Sequence, residues 1–319
     1  MSSGSGAAVH TAQAGQQSIV DPGAVGTMMK ALRQAAQEQG HPLSDALLRM
    51  MLEQLIGSEG AMPGMNSTLA GTNNIGAAQV PGGKDNLAAF KKNYPKMGGF
   101  AHFDSNPGKN KGDPSIPYLG WYWIAPSPLD AARYWLAQWW GKALLTQNPP
   151  DETAYSTILY KGVYFGGTIG GDPHHNGKDD HGNPSADAQA AYDGNIASYA
   201  KRMTAVQSFV SSRMQSETGD DPSKVTFDPS KFQSLDKRKI TQALFDSAKA
   251  GHAGSAWAPI LPATWADMQK SNGVVWNNGT GPGAVGSGGA SPSPLLLAGV
   301  AVVVAALGAA WLAARAKAA

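Results

Sequence analysis

Residues 43–60, LSDALLRMMLEQLIGSEG, combine a clear helical pattern with an acid in an unfavourable place. The apolar side chains recur at the three-, four- and seven-residue spacings of one buried helix face. They are Leu43, Leu47, Met50, Met51 and Leu55. Continuing the same face beyond Leu55 leads to Glu59. We therefore predict a helix whose core-facing side ends in a carboxyl group.

This position has a chemical consequence for Glu59. Partial burial and the negative end of the helix dipole both disfavour the carboxylate, so they raise the pKa of the carboxyl group. A raised pKa suits a general acid that works near neutral pH. The alternative is that Gly57 ends the helix early and that Glu59 points into water.

The composition limits the class of protein. A chain of 319 residues with 42% hydrophobic and 15% charged residues can bury a sizeable core. A formal net charge of +2, with no long run of Lys or Arg, gives no electrostatic reason to expect a nucleic-acid partner. The absence of cysteine excludes disulfides and thiolate metal sites.

The C-terminal part carries a long apolar run, LLLAGVAVVVAALGAAWLAA, at residues 295–314. As a helix it covers roughly 30 Å, which is the thickness of the hydrocarbon core of a bilayer. We predict one transmembrane helix, with Trp311 at the interface. Arg315 and Lys317 place the tail, residues 315–319, on the cytoplasmic side. The alternative is a buried core helix.

Composition also divides the rest of the chain. Residues 1–24 are rich in Ser, Gly, Ala and Gln, so we expect a flexible N-terminal segment that has no signal-peptide pattern. Residues 277–294 are rich in Gly, Ser and Pro and are expected to form a flexible linker. The folded domain is therefore predicted to span residues 25–276.

Within this domain the patterns are mostly helical. Helical periodicity covers residues 25–39, and further helices are expected near residues 187–213 and 237–250. Another helix begins at Ser127, an N-cap residue that precedes a proline in the first turn. Residues 157–165 hint at the alternation of a strand. The predicted fold class is mainly α.

The segment after the second helix contains an ordered series of residues: Glu59, Gly60, Gly64, Ser67, Leu69, Ala70, Asn73, Asn74 and Gly76. This series resembles the glucosaminidase branch of the lysozyme-like superfamily. That family has a catalytic Glu at a helix end, a Gly-rich turn, a Ser, Leu-Ala, and then Asn-Asn. Two departures are present: Ile75 replaces an aromatic residue, and Ala-Met-Pro at 61–63 replaces Ser-Gly-Trp.

Two later segments resemble the same family. They are GWYWIAPSPLDAARYWLAQWW at 120–140, which is similar to its aromatic segment and capped helix, and AYDGNIASYAKRM at 191–203, which is similar to its late tyrosine element. With the first segment they occur in the family's order and span residues 43–203, about half of the chain.

The resemblance implies a lysozyme-like domain that hydrolyses the β-1,4 glycan of peptidoglycan without a cofactor. Glu59 would be the general acid. Tyr192 would be the catalytic tyrosine that polarises the N-acetyl group or stabilises the oxocarbenium-like state. The implied substrate-binding residues are Asn73, Asn74, Gln79 and Tyr199.

The second catalytic carboxylate is left open. An inverting mechanism needs one about 6.5 to 9.5 Å from the acid, and a retaining mechanism needs one at about 5 Å. Asp104 is the first candidate, and Asp113 in the same loop is another. The N-acetyl group of the substrate is a third possibility, because it can assist without a second carboxylate.

Seven aromatic residues fall between positions 121 and 140, and flat rings suit the apolar faces of sugars. Trp121 and Trp123 precede the helix and are the candidates for a glycan groove. Trp135 and Trp139 are four residues apart, so both are expected to face the core.

The segment GDPHHNGKDDHGNP, residues 171–184, contains three His and three Asp residues that suggest a metal site: His174, His175, His181, Asp172, Asp179 and Asp180. The spacing matches neither a helical zinc motif nor an EF-hand, because Asn183 occupies the twelfth position. We therefore expect a hydrated loop and no metal.

These features together suggest a membrane-anchored glycan hydrolase of a virion or a bacterial cell envelope. One hypothesis is a virion-associated lysin of a bacterial virus that opens the wall during entry. Its partners would be glycan strands, a lipid bilayer and other virion proteins. The alternatives are a muramidase or lytic transglycosylase on the same scaffold, and a structural or glycan-binding protein with a degenerate site.

Overall fold

The chain folds mainly as α-helices in a computed structural model that describes residues 20–277 except 68, 81–83, 105–116, 162–185, 234, 236–238, 256–257 and 259–260. The helices of the described residues are α1 (Ala24–Glu38), α2 (Asp45–Glu53), α3 (Lys84–Asn93), α4 (Pro128–Ala137), α5 (Trp139–Gln147), α6 (Glu152–Lys161), α7 (Ala186–Thr204), α8 (Gln207–Ser216), α9 (Gln242–Gly251) and α10 (Trp265–Lys270). The strands are β1 (Gln79–Val80), β2 (Gly98–Asp104), β3 (Tyr118–Ile124) and β4 (Val274–Trp276).

The predicted mainly α class is confirmed, and the first helices agree with their sequence patterns. Helix α2 begins after Ser44, whose hydroxyl accepts a hydrogen bond from the backbone N–H of Leu47. Helix α4 begins after the predicted cap Ser127, whose hydroxyl accepts one from the backbone N–H of Asp130. Both caps satisfy N–H groups that have no partner inside the helix.

The strand predicted at residues 157–165 is wrong where the structure describes it, because residues 157–161 lie in α6. Tyr155 and Leu159 are fully buried at helical spacing. The hydroxyl of Thr157 donates to the carbonyl of Thr153 at 2.8 Å, so the helix itself satisfies this β-branched polar residue. Residues 162–165 lie outside the described part of the chain.

The four strands form one antiparallel sheet in the order β1-β3-β2-β4. Strand β2 pairs with β3 along its whole length, from Gly98 opposite Ile124 to Asp104 opposite Tyr118. A Cβ atom at Gly99 would lie 2.1 Å from the ring of Trp121. Glycine at this position therefore leaves the space that the indole occupies.

Hydrophobic clusters cover both faces of this sheet. On one face Trp121 and Trp123 join the main core, which is formed chiefly by helices α1, α2, α4, α6 and α7. The same face also joins a second cluster, in which Phe103 and Leu119 pack with residues of α9 and α10. On the opposite face Phe100 and Ile124 pack with Ala61, Phe227 and Phe232. Since both faces are covered, β3 has no polar alternation that would reveal it in the sequence.

The predicted flexible N-terminal segment extends too far along the chain. Val20 is buried and forms a β-bridge with Met65, and the backbone N–H of Asp21 donates to the carbonyl of Gly64 at 2.8 Å. Arg213 donates to the carbonyl of Val20 at 2.9 Å. Residues 20–24 are therefore part of the fold. The sequence did not indicate this, because the hydrogen bonds that hold these residues come from distant parts of the chain.

The predicted membrane helix at residues 295–314 lies outside the described residues, as do the tail at 315–319 and all of the predicted linker except Asn277. Within the part that the structure describes, no helix has both the length and the apolar character needed to cross a bilayer.

Candidate active site

Directly after Glu53, the last residue of α2, the chain continues into a π-helical turn, Gln54–Ser58. The backbone N–H of Glu59 donates to the carbonyl of Gln54 at 2.9 Å, which closes the wider turn. Single π-helical turns of this kind are frequent at functional sites. The predicted helix therefore reaches the residue before Glu59, and Glu59 is partly buried at its end.

A glycine allows helix α7 to lie directly against this turn. A Cβ atom at Gly57 would be 2.5 Å from the carbonyl oxygen of Arg202 and 2.7 Å from Cγ2 of Val206. The hydroxyl of Ser58 also donates to the carbonyl of Tyr199 at 3.4 Å. The close approach brings one face of α7 over the end of the turn.

The result is a direct contact between Glu59 and Tyr199. The hydroxyl of Tyr199 donates to Oε1 of Glu59 through a short hydrogen bond, and the tyrosine ring is buried. The guanidinium of Arg202, one turn further along α7, lies 5.1 Å from the centre of the same ring. An acid, a tyrosine and a cation therefore come together at one place.

The environment shifts the acidity of Glu59 in the predicted direction. Burial raises the pKa of the carboxyl group to about 7. The hydrogen bond from Tyr199 and the positive charge of Arg202 oppose this shift, since both stabilise the charged form. At neutral pH a large fraction of Glu59 is therefore protonated and able to donate its proton.

Three further tyrosines surround this pair. The hydroxyl of Tyr155 donates to Oε1 of Gln54, and the pKa of Tyr155 is raised well above its usual value by burial and then by the charge of Glu59. Burial raises the pKa of Tyr160 to about 12. The ring of Tyr160 meets those of Tyr192 and Tyr199 edge-on, each at 6.1 Å between ring centres.

The two predicted tyrosines therefore have different positions. Tyr192, expected to be catalytic, is buried against Tyr160, and burial raises its pKa. Tyr199, expected to bind substrate, holds the carboxyl group of Glu59. Tyr199 therefore contacts Glu59 directly, and the ring of Tyr160 lies between Tyr199 and Tyr192.

Asn73 and Asn74 lie in the loop after the acid, and both are buried. Asn73 has a left-handed backbone (φ 55°), and its amide donates to the carbonyl of Ala125 at 3.3 Å. The amide of Asn74 donates to the carbonyls of Trp123 and Ala78. Their substrate-binding role stays a prediction, and in the structure these amides hold the loop to the end of β3.

The predicted sugar contact of Trp121 and Trp123 is wrong. Their exposed fractions are 1% and 0%, because alternation along β3 directs both into the main core. Tyr122 lies between them on the opposite face and is partly exposed. It stacks on Phe100 with 5.6 Å between ring centres.

Trp135 is buried as predicted, but Trp139 is 47% exposed. The expected spacing of four residues does not hold because Gln138 has an extended backbone between α4 and α5. Trp139 therefore begins a new helix with a different orientation.

Other predicted site residues stay untested. Gln79 lies in β1 opposite Tyr122 and is partly exposed. Asp104 ends β2, and its side chain is outside the described part, as are Asp113 and the His- and Asp-rich segment 171–184. Among the described residues, no group of His, Asp and Glu side chains is arranged to hold a metal ion.

The sequence reasoning missed a buried ionic cluster behind the π-helical turn. Glu53 is fully buried and forms an ion pair with Arg49, which also binds Glu152 of α6 at 2.8 Å. Burial raises the pKa of Glu53 to about 8, whereas that of Glu152 is lowered. The i, i+4 spacing of Arg49 and Glu53 was the available signal.

Comparison with protein-family models, with curated proteins and with solved structures gives no match for this chain.

Proposed function

We propose that this protein is a peptidoglycan hydrolase of the N-acetylglucosaminidase type, with a lysozyme-like domain in which Glu59 is the general acid. The observation that carries the proposal is the contact between Glu59 and Tyr199 at the end of the π-helical turn. A partly buried carboxyl group with a pKa of about 7 is matched to proton donation near neutral pH.

The hydrogen bond suggests how the acid acts. Because Tyr199 holds Oε1, the other carboxyl oxygen of Glu59 is left to carry the proton to the glycosidic oxygen. As the bond to the leaving sugar breaks, positive charge develops on the ring that remains. The negative charge left on Glu59 is then stabilised by the hydrogen bond that Tyr199 donates.

The proposed mechanism does not require a second carboxylate from the described residues. Among the described residues, the charged group that shifts the pKa of Glu59 is the cation Arg202, and no carboxylate contributes to this shift. Assistance by the N-acetyl group of the substrate fits this environment. Asp104, the last residue of β2, stays a candidate from the sequence.

The proposed setting follows from the sequence. The apolar run at 295–314 would anchor the protein in a bilayer, and the linker at 277–294 would let the domain reach the glycan. We propose a role in opening the bacterial wall, as a virion-associated lysin with other virion proteins as partners, or as a protein of the cell envelope.

Two alternative functions use the same features of the chain. A muramidase or lytic transglycosylase on the same scaffold would use the same acid, and the released ends distinguish them: reducing GlcNAc, reducing MurNAc or anhydro-MurNAc. A membrane-anchored structural or glycan-binding protein with a degenerate site is favoured by the burial of Trp121 and Trp123, which removes two expected sugar contacts.

The test is digestion of purified sacculi by the full-length protein, with mass spectrometry of the products. The wild-type protein should release soluble glycan fragments, and Glu59→Gln should not. Glu38→Gln is the matched control, because Glu38 is a surface carboxylate paired with Arg133. Equal digestion by wild-type protein and Glu59→Gln would refute the proposal.

A further inference from the structure

Arg202 carries a positive charge beside the acid, and its hydrogen-bonding capacity is only partly used. One terminal nitrogen, Nη1, donates to the hydroxyl of Ser198 at 3.3 Å. The Nε atom is buried and has no hydrogen-bond partner among the described residues. The side chain as a whole is partly exposed, so a ligand can approach it.

The position of the guanidinium is defined by the helix that carries it. Its carbon lies 5.1 Å from the centre of the Tyr199 ring, and Tyr199 in turn donates to Glu59. The backbone of Arg202 is fixed as well, because its carbonyl oxygen packs against Gly57. The guanidinium is therefore held next to the acid by packing, and no described carboxylate forms an ion pair with it.

A positive charge such as that of Arg202 is unfavourable beside a group that must stay protonated. The charge of Arg202 lowers the pKa of Glu59 and so works against the protonated acid. A partly desolvated guanidinium with unused donors is also costly unless an anion pairs with it. A bound ligand with a negative charge offsets the charge of Arg202, and the terminal nitrogens of the guanidinium gain a partner when they donate to it.

Resting on the proposed function, we infer that Arg202 binds a carboxylate of the glycan substrate and selects acidic strands over neutral ones. The planar guanidinium presents its donors in a fork that matches a carboxylate. Two sources of this group exist on bacterial glycan strands. One is the lactyl carboxylate of strands without peptides, and the other is a carboxylate of the stem peptide.

Binding of the carboxylate also has an effect on the acid. The titratable and charged described groups that influence or contact Glu59 are Tyr155 and Tyr160 of α6, and Tyr199 and Arg202 of α7. Arg202 is the cation among them, so pairing with a substrate anion cancels its influence. The acidic substrate thereby shifts Glu59 toward the protonated form that it needs.

The experiment measures equilibrium binding of glycan strands to full-length Glu59→Gln, which prevents turnover. The probes are peptide-stripped strands and intact strands, each before and after conversion of the carboxylates to amides. Acidic strands should bind at least about 10-fold more tightly than their amidated forms, the usual effect of a hydrogen bond to a charged group. The strand type that shows the difference identifies its source.

When Arg202→Gln is added to the Glu59→Gln protein, the difference in affinity between acidic and amidated strands should disappear. Arg202→Lys should keep part of this difference. Lys201→Gln removes the same charge from an exposed neighbour and should leave the difference unchanged. The inference is overturned if acidic and amidated strands bind equally, or if their difference survives in Arg202→Gln. Binding of no strand at all would instead refute the proposed function.

Discussion

Tyr199 donates a hydrogen bond to Glu59 across 140 residues of sequence, and this contact joins the end of the π-helical turn to the C-terminal part of α7. It makes the candidate acid part of two packed helices rather than of one loop.

Glu59→Gln should reduce glycan cleavage by at least roughly 10²-fold, because glutamine keeps the size of the side chain but cannot donate the acid proton. Stability should stay the same or rise slightly, since a partly buried carboxylate is removed. Cleavage rates on sacculi and thermal unfolding by circular dichroism measure both effects. Lost activity together with a large drop in melting temperature would make Glu59 a structural group.

Tyr199→Phe should move the pH dependence of cleavage. The wild-type rate should fall as the pH rises through about 7, because only protonated Glu59 can act. Tyr199 lowers the pKa of Glu59, so its removal should shift this decline to higher pH. Tyr192→Phe, the control, should leave the profile in place. A shift in the control alone would restore Tyr192 as the functional tyrosine.

Glu59 should also make stability depend on pH. Its pKa is about 7 in the folded protein against an ordinary value of 4.5, so the folded state binds more protons between these values. The free energy of unfolding should therefore decrease as the pH rises through this interval. Glu53 acts in the same direction up to a pKa of about 8. Urea denaturation at several pH values gives the free energy of unfolding of the wild-type protein and of Glu59→Gln. The wild-type value should fall more steeply with pH, and an equal fall in both proteins would contradict the prediction.

Gly57→Ala should separate α7 from the π-helical turn, because the added methyl group would lie 2.5 Å from the carbonyl of Arg202. We expect a loss of roughly 1–3 kcal/mol in stability from overpacking, together with reduced cleavage. Gly194→Ala on α7 is the control, since nothing lies within 4 Å of its added Cβ. It should be neutral or stabilising by about 0.5–1 kcal/mol. Unchanged activity in Gly57→Ala would show that the close packing is unnecessary.

Deleting residues 294–319 should convert a protein that requires detergent into a soluble one with full cleavage activity. The reason is that the predicted linker separates the membrane helix from the fold. Sedimentation without detergent and digestion of sacculi measure the two properties. Unfolding of the shortened protein would make residues 295–314 a core helix.

The sequence was informative where structure is local. The apolar spacing that ends at Leu55 and the cap at Ser127 are determined within one or two helical turns, and both are found in the structure. Strand β3 was missed because its two faces are both apolar, so neither alternation nor polarity marks it.

The site residues could be predicted only in part, for the same physical reason. The burial of Glu59 follows from its own helix, but the choice between Tyr192 and Tyr199 depends on how α7 lies on the π-helical turn. Trp121 and Trp123 were placed in a groove because β3, which is covered on both faces, was not recognised as a strand. Each error concerns an orientation that long-range packing decides.

The distance along the chain between Glu59 and Tyr199 also affects when chemistry becomes possible during synthesis. Glu59 leaves the ribosome long before α7 exists, and contacts between distant parts of a chain form late because loop closure is costly. Until α7 docks, Glu59 is a hydrated carboxylate of ordinary acidity. In a nascent or partly folded chain Glu59 therefore keeps its ordinary acidity, and the raised pKa that the proposed mechanism needs is reached only after α7 has packed against the π-helical turn.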